Sequence, residues 1–184
     1  MAEAVRAVFL VRDGVLNEAP VRDGKPYSPM SVGEVVVPAN VPGALERLRR
    51  NGFRLVVVTN QPDIARGVQS RETVHAINKH LCNRLQLDAV EICEHDDVHN
   101  CDCRKPKPGM LLRAAQRDHI ALAESFMVGD RWRDIEAGRR AGCRTILIGD
   151  GYEEGLKSPP DIQVATLAEA VDWILAKQHD GKQR

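Results

Sequence analysis

The chain has 184 residues, about the length of one average domain, which leaves little room for a second catalytic domain. Hydrophobic residues make up 43% of it and charged residues 28%, a balance typical of soluble globular domains and unlike that of disordered or fibrous chains. The 26 basic and 26 acidic side chains give a net charge of zero, which argues against a dedicated nucleic-acid-binding protein, and no apolar run approaches the roughly 20 residues of a membrane span.

The N-terminal residues and the cysteines indicate a cytoplasmic protein. The charged residues Arg12 and Asp13 come too early in the chain for the apolar stretch of about 7 to 15 residues in a secretion signal. Five cysteines in a reducing compartment are not expected to form a disulfide framework, and three of them crowd between Cys93 and Cys103. This crowding indicates a metal site.

Short β-branched runs alternate with amphipathic stretches along the chain. The runs predict strands at 7–11, 55–58, 89–92, 126–128 and 145–148. The stretches predict helices at 42–50, 70–85, 108–118 and 131–141. Thr166 and Glu169 have the spacing of a capping box before a last helix that ends near Gln178. We expect one domain over residues 1–178 and a polar tail over 179–184.

Strict alternation of strand and helix predicts a doubly wound, mostly parallel α/β sheet, in which ligands bind outside the carboxyl ends of the strands. Polar groups follow four of the predicted strands, namely Arg12-Asp13-Gly14, Thr59-Asn60-Gln61, the segment ending in Arg104-Lys105, and Gly129-Asp130. Each group alone is compatible with ordinary turn or capping chemistry. Because they follow successive strands at the same end, together they predict one site at one edge of the sheet.

The chemistry at that edge suits a phosphate group and Mg²⁺. The carboxylates that could ligate the cation belong to Asp13, Asp130 and Asp134. Thr59 and Asn60 offer hydrogen-bond donors, and Lys105 offers a point charge for the remaining phosphate oxygens. This combination predicts phosphoryl transfer, whose catalysis depends on positioning and on charge stabilisation.

A second cluster, Cys93, His95, Cys101 and Cys103, has the pattern CxHx5CxC, which offers three thiolates and one imidazole to a tetrahedral Zn²⁺. A closed shell leaves no position for water, so we expect a structural site that makes the 93–103 loop rigid. Reduced thiols in an unstructured loop, or a disulfide, are the alternatives, and His99 is a possible substitute ligand.

Four segments carry a resemblance to the haloacid dehalogenase (HAD) superfamily, and more closely to its heptose-bisphosphate and histidinol-phosphate phosphatase branch. They are Val8–Asn17, Val58–Gln61, Cys101–Pro106 and Val128–Asp130, supported by Ile64–Gly67 and Gly109–Leu111. The similarity runs from about Ala7 to Ile148. It implies an HAD fold in which the zinc loop stands in place of a large mobile cap domain.

The resemblance also implies residue roles. It implies that Asp13 is the general acid/base and that Asp13 and Asp130 ligate Mg²⁺. Asp134 is expected to lie next to these ligands without binding the ion. The transferred phosphate is held by Thr59, Asn60 and Lys105. Arg104 and Arg131 are expected to contact the rest of the substrate.

Position 11 departs from the family pattern, which has there the aspartate that attacks phosphorus and ligates Mg²⁺; this chain has Val11. Without the family, Val11 is an ordinary last residue of a buried strand. Asp13 does not replace the missing group, because Cα atoms two positions apart on a strand lie about 6.5 Å apart and in-line attack loses roughly a hundredfold per 1 Å of error. We expect slow turnover or none, although ligand binding can survive.

By this resemblance, the leading prediction is a monomeric, Mg²⁺-dependent phosphatase that removes the 7-phosphate of D-glycero-D-manno-heptose 1,7-bisphosphate, with neither nucleic acid nor membrane as a partner. A second anionic group on the substrate is plausible because several basic residues could lie near the edge: Arg22, Lys25, Arg66, Arg104 and Arg131. The long 17–38 segment either shapes the pocket or merely wraps the surface. The alternatives are an inactive protein that binds phosphorylated sugars, which Val11 favours, and a histidinol-phosphate phosphatase. A nucleic-acid end phosphatase is disfavoured by the neutral charge.

Overall fold

The computed structural model describes residues 4–23, 25–152 and 155–180. Its strands are β1 (Arg6–Leu10), β2 (Val21–Arg22), β3 (Lys25–Pro26), β4 (Phe53–Asn60), β5 (Ala89–Cys93), β6 (Phe126–Gly129), β7 (Arg144–Ile148) and β8 (Ile162–Val164). Its helices are α1 (Val41–Arg50), α2 (Arg71–Leu85), α3 (Gly109–Asp118), α4 (Trp132–Ala141) and α5 (Leu167–Asp180). Short 3₁₀ turns occupy Val32–Glu34, Asp97–His99 and Leu122–Glu124.

A six-stranded parallel sheet forms the centre, with the strand order β5-β4-β1-β6-β7-β8. From β1 the chain first adds β4 and β5 on one side and then crosses to β6 on the other. Right-handed crossovers therefore place α1 and α2 over one face and α3 and α4 over the opposite face. The reversal of direction beside β1 opens a crevice at the carboxyl ends of β1, β4 and β6.

The central strands are apolar on both faces because helices cover both of them. Four consecutive residues of β1, Ala7–Leu10, are fully buried, as are Leu55 and Val58 of β4. Burying such side chains contributes about 1.5–3 kcal/mol each relative to exposure. These continuous apolar runs hold the strand ends, and the polar residues that follow them, in fixed positions.

Helix ends follow the local sequence. The Ser70 side chain caps α2 by accepting a hydrogen bond from the Thr73 backbone N–H at 3.1 Å, which satisfies one of the unpaired donors of the first turn. Helix α4 ends at Gly142, whose φ of +87° is in the left-handed region that glycine adopts without a steric penalty. These signals explain why the predicted boundaries of α1 to α4 agree with the observed ones to within a residue.

The predicted doubly wound α/β fold is confirmed, with some differences in detail. Strand β8 was not predicted, because a three-residue edge strand with an exposed middle residue leaves little hydrophobic pattern. The 17–38 segment carries the small antiparallel β2–β3 hairpin and a 3₁₀ turn in place of an unbroken loop. Helix α5 extends to Asp180, beyond the expected end near Gln178, and the rest of the predicted tail, 181–184, lies outside the described residues.

Among the described residues, no helix is both long enough and apolar enough to cross a membrane.

Candidate active site

A cavity of about 470 Å³ opens at the carboxyl edge of the sheet, at the crevice beside β1. The residues that sequence reasoning assigned to phosphate, Mg²⁺ and substrate all line it: Val11, Asp13, Thr59, Asn60, Arg104, Lys105, Asp130 and Arg131. Asp134 lines it as well. The structure therefore brings together groups that are up to 123 positions apart in the chain, as expected for residues that follow parallel strands.

The Asp13 carboxylate is surrounded by donors. Arg12, fully buried, donates to both of its oxygens at 3.0 and 2.9 Å. Three further hydrogen bonds come from Asn17 Nδ2 at 2.9 Å, Ser28 Oγ at 2.8 Å and Gln61 Nε2 at 3.0 Å. A carboxylate has about four lone-pair positions, so these contacts occupy it fully.

This surrounding determines the protonation state of Asp13. Burial raises the pKa of the carboxyl, but the Arg12 charge and the hydrogen bonds from Arg12, Asn17 and Ser28 outweigh it, so the net pKa lies below the usual value. Asp13 is therefore ionised at neutral pH, the form that accepts a proton. To act as an acid it must first receive one.

A buried ion pair joins Lys105, after β5, to Asp134 in the first turn of α4, with the two charged atoms 2.7 Å apart. The Lys105 ammonium also donates to the Val58 carbonyl at 2.9 Å. The second Asp134 oxygen accepts from the backbone N–H groups of Asp130 at 3.3 Å and Arg131 at 3.0 Å. Lys105 is thus a fixed cation facing the cavity.

Asp130, directly after β6, is almost completely buried beside Asp134. Burial and then the neighbouring Asp134 charge raise the pKa of Asp130 to about 7. Two neighbouring buried carboxylates offer the oxygen ligands that a hard divalent cation takes. Gly14 packs against this group so closely that a Cβ there would lie 1.9 Å from Asp130 Oδ2, which explains a glycine at that turn.

Asn60 and Lys105 are locked together across the crevice. Asn60 Nδ2 donates to the Lys105 carbonyl at 3.2 Å, and the Lys105 backbone N–H donates to Asn60 Oδ1 at 3.1 Å. Thr59 is buried and its hydroxyl accepts from Gln61 Nε2 at 2.9 Å. The Thr59 hydroxyl proton remains available to a ligand oxygen in the cavity.

Val11 lies at the end of β1, in the floor of the cavity. Its backbone N–H donates to the Val128 carbonyl at 3.1 Å, which holds this part of the backbone against β6. Its side chain is only 4% exposed. An isopropyl group offers neither a nucleophile nor a metal ligand at this position.

Arginines with acidic partners surround the mouth of the cavity. Arg104 pairs with Asp97 at 2.7 Å, and Arg133 reaches the same carboxylate at 3.2 Å. Arg66 pairs with Asp96 at 2.6 Å. Lys25 lines the cavity from the β2–β3 hairpin, so the 17–38 segment does shape the pocket, whereas the Arg22 side chain lies outside the described part of the structure.

The four predicted zinc ligands form one cluster, whose Sγ and Nδ1 atoms all lie within 4.8 Å of one another. The Cys103 sulfur is 3.1 Å from that of Cys93 and 3.3 Å from that of Cys101, which is longer than a disulfide bond and matches free thiols. His99 is not part of the cluster, since its Nδ1 accepts from the Asp96 backbone N–H at 3.1 Å. The structure therefore has no disulfide in this cluster, and His99 is not among its candidate ligands.

The thiols differ in acidity. Burial, followed by the hydrogen bond with Cys103, raises the pKa of Cys93. Burial also opposes ionisation of Cys101, but hydrogen bonds from Cys103 and the Arg104 backbone outweigh it and lower the pKa of Cys101 to about 7. Three thiols and one imidazole in this arrangement fit the tetrahedral donor set of Zn²⁺.

Sequence reasoning missed several residues that complete the site. Arg12 appeared only as part of a motif, and its role as the partner of Asp13 was not identified. The other missed contacts are those of Asn17, Ser28, Gln61 and Tyr152. A basic residue in an otherwise apolar strand end is a signal that could have identified Arg12, whereas the Ser28 and Tyr152 contacts depend on how distant loops fold.

A model of the HAD-hydrolase-like family matches residues 102–170. The chain is 35% identical to D-glycero-beta-D-manno-heptose-1,7-bisphosphate 7-phosphatase of Escherichia coli K12, with 95% of this chain and 91% of that one covered. It is 32% identical to the protein of the same name from Helicobacter pylori J99, with 92% and 97% covered.

Among solved structures, the chain resembles D,D-heptose 1,7-bisphosphate phosphatase from B. bronchiseptica in complex with magnesium and phosphate. The TM-score is 0.78 at 29% identity, and the match covers 94% of this chain and 99% of the other. Fold and sequence therefore agree, since both similarities cover more than nine-tenths of this chain.

Proposed function

The chain belongs to the family of HAD-like hydrolases, and on that premise we propose that its cavity binds the 7-phosphate of D-glycero-D-manno-heptose 1,7-bisphosphate for Mg²⁺-dependent hydrolysis. One observation carries the proposal: the fixed Lys105 cation, the Thr59 hydroxyl and the ionised Asp13 all face one cavity at the crevice of the sheet. Cationic, donor and carboxylate groups in that arrangement meet the requirements of phosphoryl transfer.

In this proposal the phosphate lies against Lys105. The ammonium is held by Asp134 and by the Val58 carbonyl, so it is positioned before the ligand arrives. The Thr59 hydroxyl donates to a second phosphate oxygen. Because these groups need no reorganisation, they can stabilise charge that develops on the phosphoryl oxygens. Asp13 accepts the proton of an attacking water and returns it to the leaving oxygen.

The acidic residues of the cavity fit Mg²⁺, a hard cation that takes oxygen ligands. Asp130 is the strongest candidate ligand, because it is buried beside Asp134 and its Oδ1 accepts no hydrogen bond from the described residues. The Asp13 carboxylate would have to release one of its present donors to join it. When bound, the cation would neutralise phosphate charge.

Val11 limits the chemistry in this proposal. No carboxylate stands at the end of β1 to attack phosphorus, and loss of a nucleophile costs about 10⁶ in rate in a well-studied protease. Removing one negative charge from the cavity also lessens repulsion of the phosphate dianion. We therefore expect ligand binding with little turnover.

The test compares phosphate release, with Mg²⁺, by the unaltered chain, by Val11→Asp and by Val11→Asn. Aspartate restores a nucleophile, whereas asparagine has nearly the same shape and polarity without one, so it controls for polarity at this position. We expect a rate increase of several orders of magnitude for Val11→Asp and none for Val11→Asn. Turnover by the unaltered chain at an ordinary rate of about 10 s⁻¹ would contradict the role given to position 11.

Val11 also favours a second candidate function, a protein that binds phosphorylated sugars without hydrolysing them. Calorimetric binding of the bisphosphate to the unaltered chain, with no release of phosphate over hours, would support it. Comparison of the bisphosphate with histidinol phosphate on Val11→Asp distinguishes the two substrate classes. The arginines at the cavity mouth favour the bisphosphate, because they can meet its second phosphate.

The proposal also covers a second metal ion, the cellular location and the oligomeric state. We propose that Cys93, His95, Cys101 and Cys103 hold a structural Zn²⁺, because they offer a closed tetrahedral donor set. Cysteines that serve as metal ligands and form no disulfide are typical of reducing compartments, which supports a cytoplasmic location. A monomeric state, and the lack of nucleic-acid or membrane partners, stay predictions. Metal analysis of the purified protein checks the zinc assignment.

A further inference from the structure

Tyr152 contacts Asp130, the strongest candidate Mg²⁺ ligand, directly. Its hydroxyl donates to Asp130 Oδ2 at 2.9 Å, and the residue is partly buried. Tyr152 follows β7, the strand beside β6, so it approaches Asp130 from a different strand end than any residue assigned above. Nothing in the proposed phosphatase chemistry yet uses this contact.

The backbone at Tyr152 is unusual for so large a residue. Its φ is +57°, in the left-handed region that bulky side chains rarely adopt. The two preceding glycines of the turn, Gly149 and Gly151, have φ values of +73° and +75°. A conformation of this kind persists only where the surroundings hold it, and such positions cluster at functional sites. Here the turn directs the phenol hydroxyl to Asp130.

The contact leaves one Asp130 oxygen for a cation. Oδ2 is confined between the Tyr152 hydroxyl and Gly14, against which it packs. Oδ1 receives no hydrogen bond within the described part of the chain. The Lys105 cation is committed to Asp134, so it does not hold Asp130 in place. Among the described residues, Tyr152 is the side chain that hydrogen-bonds to the Asp130 carboxylate and so restricts its rotation.

We propose that Tyr152 is a positioning residue that orients Asp130 for Mg²⁺ and thereby favours Mg²⁺ over the larger Ca²⁺. The inference rests on the proposed function, in which Asp130 is a Mg²⁺ ligand. Mg²⁺ demands near-ideal octahedral geometry, whereas Ca²⁺ accepts irregular coordination. A carboxylate of fixed rotation therefore matters more to Mg²⁺. Hydrogen bonds that orient metal ligands typically change metal affinity by about 10- to 100-fold.

The experiment measures binding of Mg²⁺ and of Ca²⁺ by calorimetry, in the presence of inorganic phosphate, to the unaltered chain and to Tyr152→Phe. Phenylalanine keeps the ring and removes only the hydroxyl. We expect Mg²⁺ affinity to fall by about tenfold and Ca²⁺ affinity to fall much less, so that the ratio of Mg²⁺ affinity to Ca²⁺ affinity decreases. Thermal unfolding without cations reports whether the variant is folded.

A second comparison tests whether the hydroxyl acts through Asp130. In an Asp130→Asn background, Tyr152→Phe is expected to have no further effect on Mg²⁺ affinity, because the carboxylate that it orients is gone. Unchanged or tighter Mg²⁺ binding by Tyr152→Phe, or equal losses for both cations, would overturn the inference alone. If the unaltered chain binds no Mg²⁺, the proposed metal site itself fails, and the inference fails with it.

Discussion

Lys105 and Asp134 form the most deeply buried ion pair of the cavity, and replacing Lys105 by Met tests what that pair contributes. The two side chains are 5% and 4% exposed, and their charged atoms are 2.7 Å apart. Methionine fills a similar volume but leaves Asp134 and Asp130 as two buried carboxylates without this counter-charge. Removing one partner of a buried ion pair lowers the free energy of unfolding by about 3–5 kcal/mol. We expect a loss of that size in the free energy of unfolding at pH 8.

The reverse substitution, Asp134→Asn, should cost less, about 1–3 kcal/mol. Lys105 then keeps its hydrogen bond to the Val58 carbonyl and the attraction of Asp130, whose pKa it lowers. The amide oxygen of asparagine can still accept from the Asp130 and Arg131 backbone N–H groups. The comparison thus separates the cost of an unpaired buried charge from that of a lost hydrogen bond.

The cost of Lys105→Met should also depend on pH. Burial and Asp134 already raise the pKa of Asp130 to about 7, and removing the lysine charge raises it further. A carboxyl whose pKa is raised in the folded state destabilises the protein as pH rises above the unfolded value, about 4. Below about pH 7 the Asp130 carboxyl is protonated in both folded proteins, so its part of the extra cost of Lys105→Met is small at pH 5 and grows as the pH rises through about 7.

The assay is urea unfolding of both variants and of the unaltered chain at pH 5 and pH 8, in buffer without Mg²⁺. An unchanged dependence on urea concentration would show that the two-state comparison is valid. The reasoning is refuted if Lys105→Met is no more destabilising than Asp134→Asn at pH 8, or if its penalty grows as the pH falls.

Two further predictions concern the turn after β1 and the cysteine cluster. Gly14→Ala should cost about 2–4 kcal/mol of unfolding free energy and weaken Mg²⁺ binding, because its Cβ would meet Asp130 Oδ2 at 1.9 Å and its φ is +90°. Gly67→Ala, at φ +69° with open space around it, should cost only about 1–2 kcal/mol and leave binding unchanged; equal effects of the two would contradict the packing argument. Removing metal with a chelator, or changing Cys103 to Ser, should lower the unfolding temperature by about 5 °C or more. Cys82→Ser, outside the cluster, serves as the control, and an unfolding temperature that no chelator changes would argue against structural zinc.

Much of the fold follows from local patterns. The apolar runs of β1, β4 and β6 are continuous because both faces of a parallel sheet are covered, and sequence alone locates them. The placement of Asp13, Asn60, Lys105 and Asp130 follows too, since residues after parallel strands meet at one edge. Strand β8 escaped prediction because three residues carry almost no periodicity.

The sequence by itself determined the α/β alternation, the site edge, the cysteine cluster and the absence of a carboxylate at Val11. Only the tertiary structure decided which groups hold the key carboxylates: Ser28 and Gln61 reach Asp13 from 15 and 48 positions away, and Tyr152 reaches Asp130 across 22. The physical reason is the separation along the chain between the residues that determine each feature. Hydrophobic periodicity and strand ends are encoded by neighbouring residues, whereas a hydrogen bond between loops exists only after packing has fixed the distance between them.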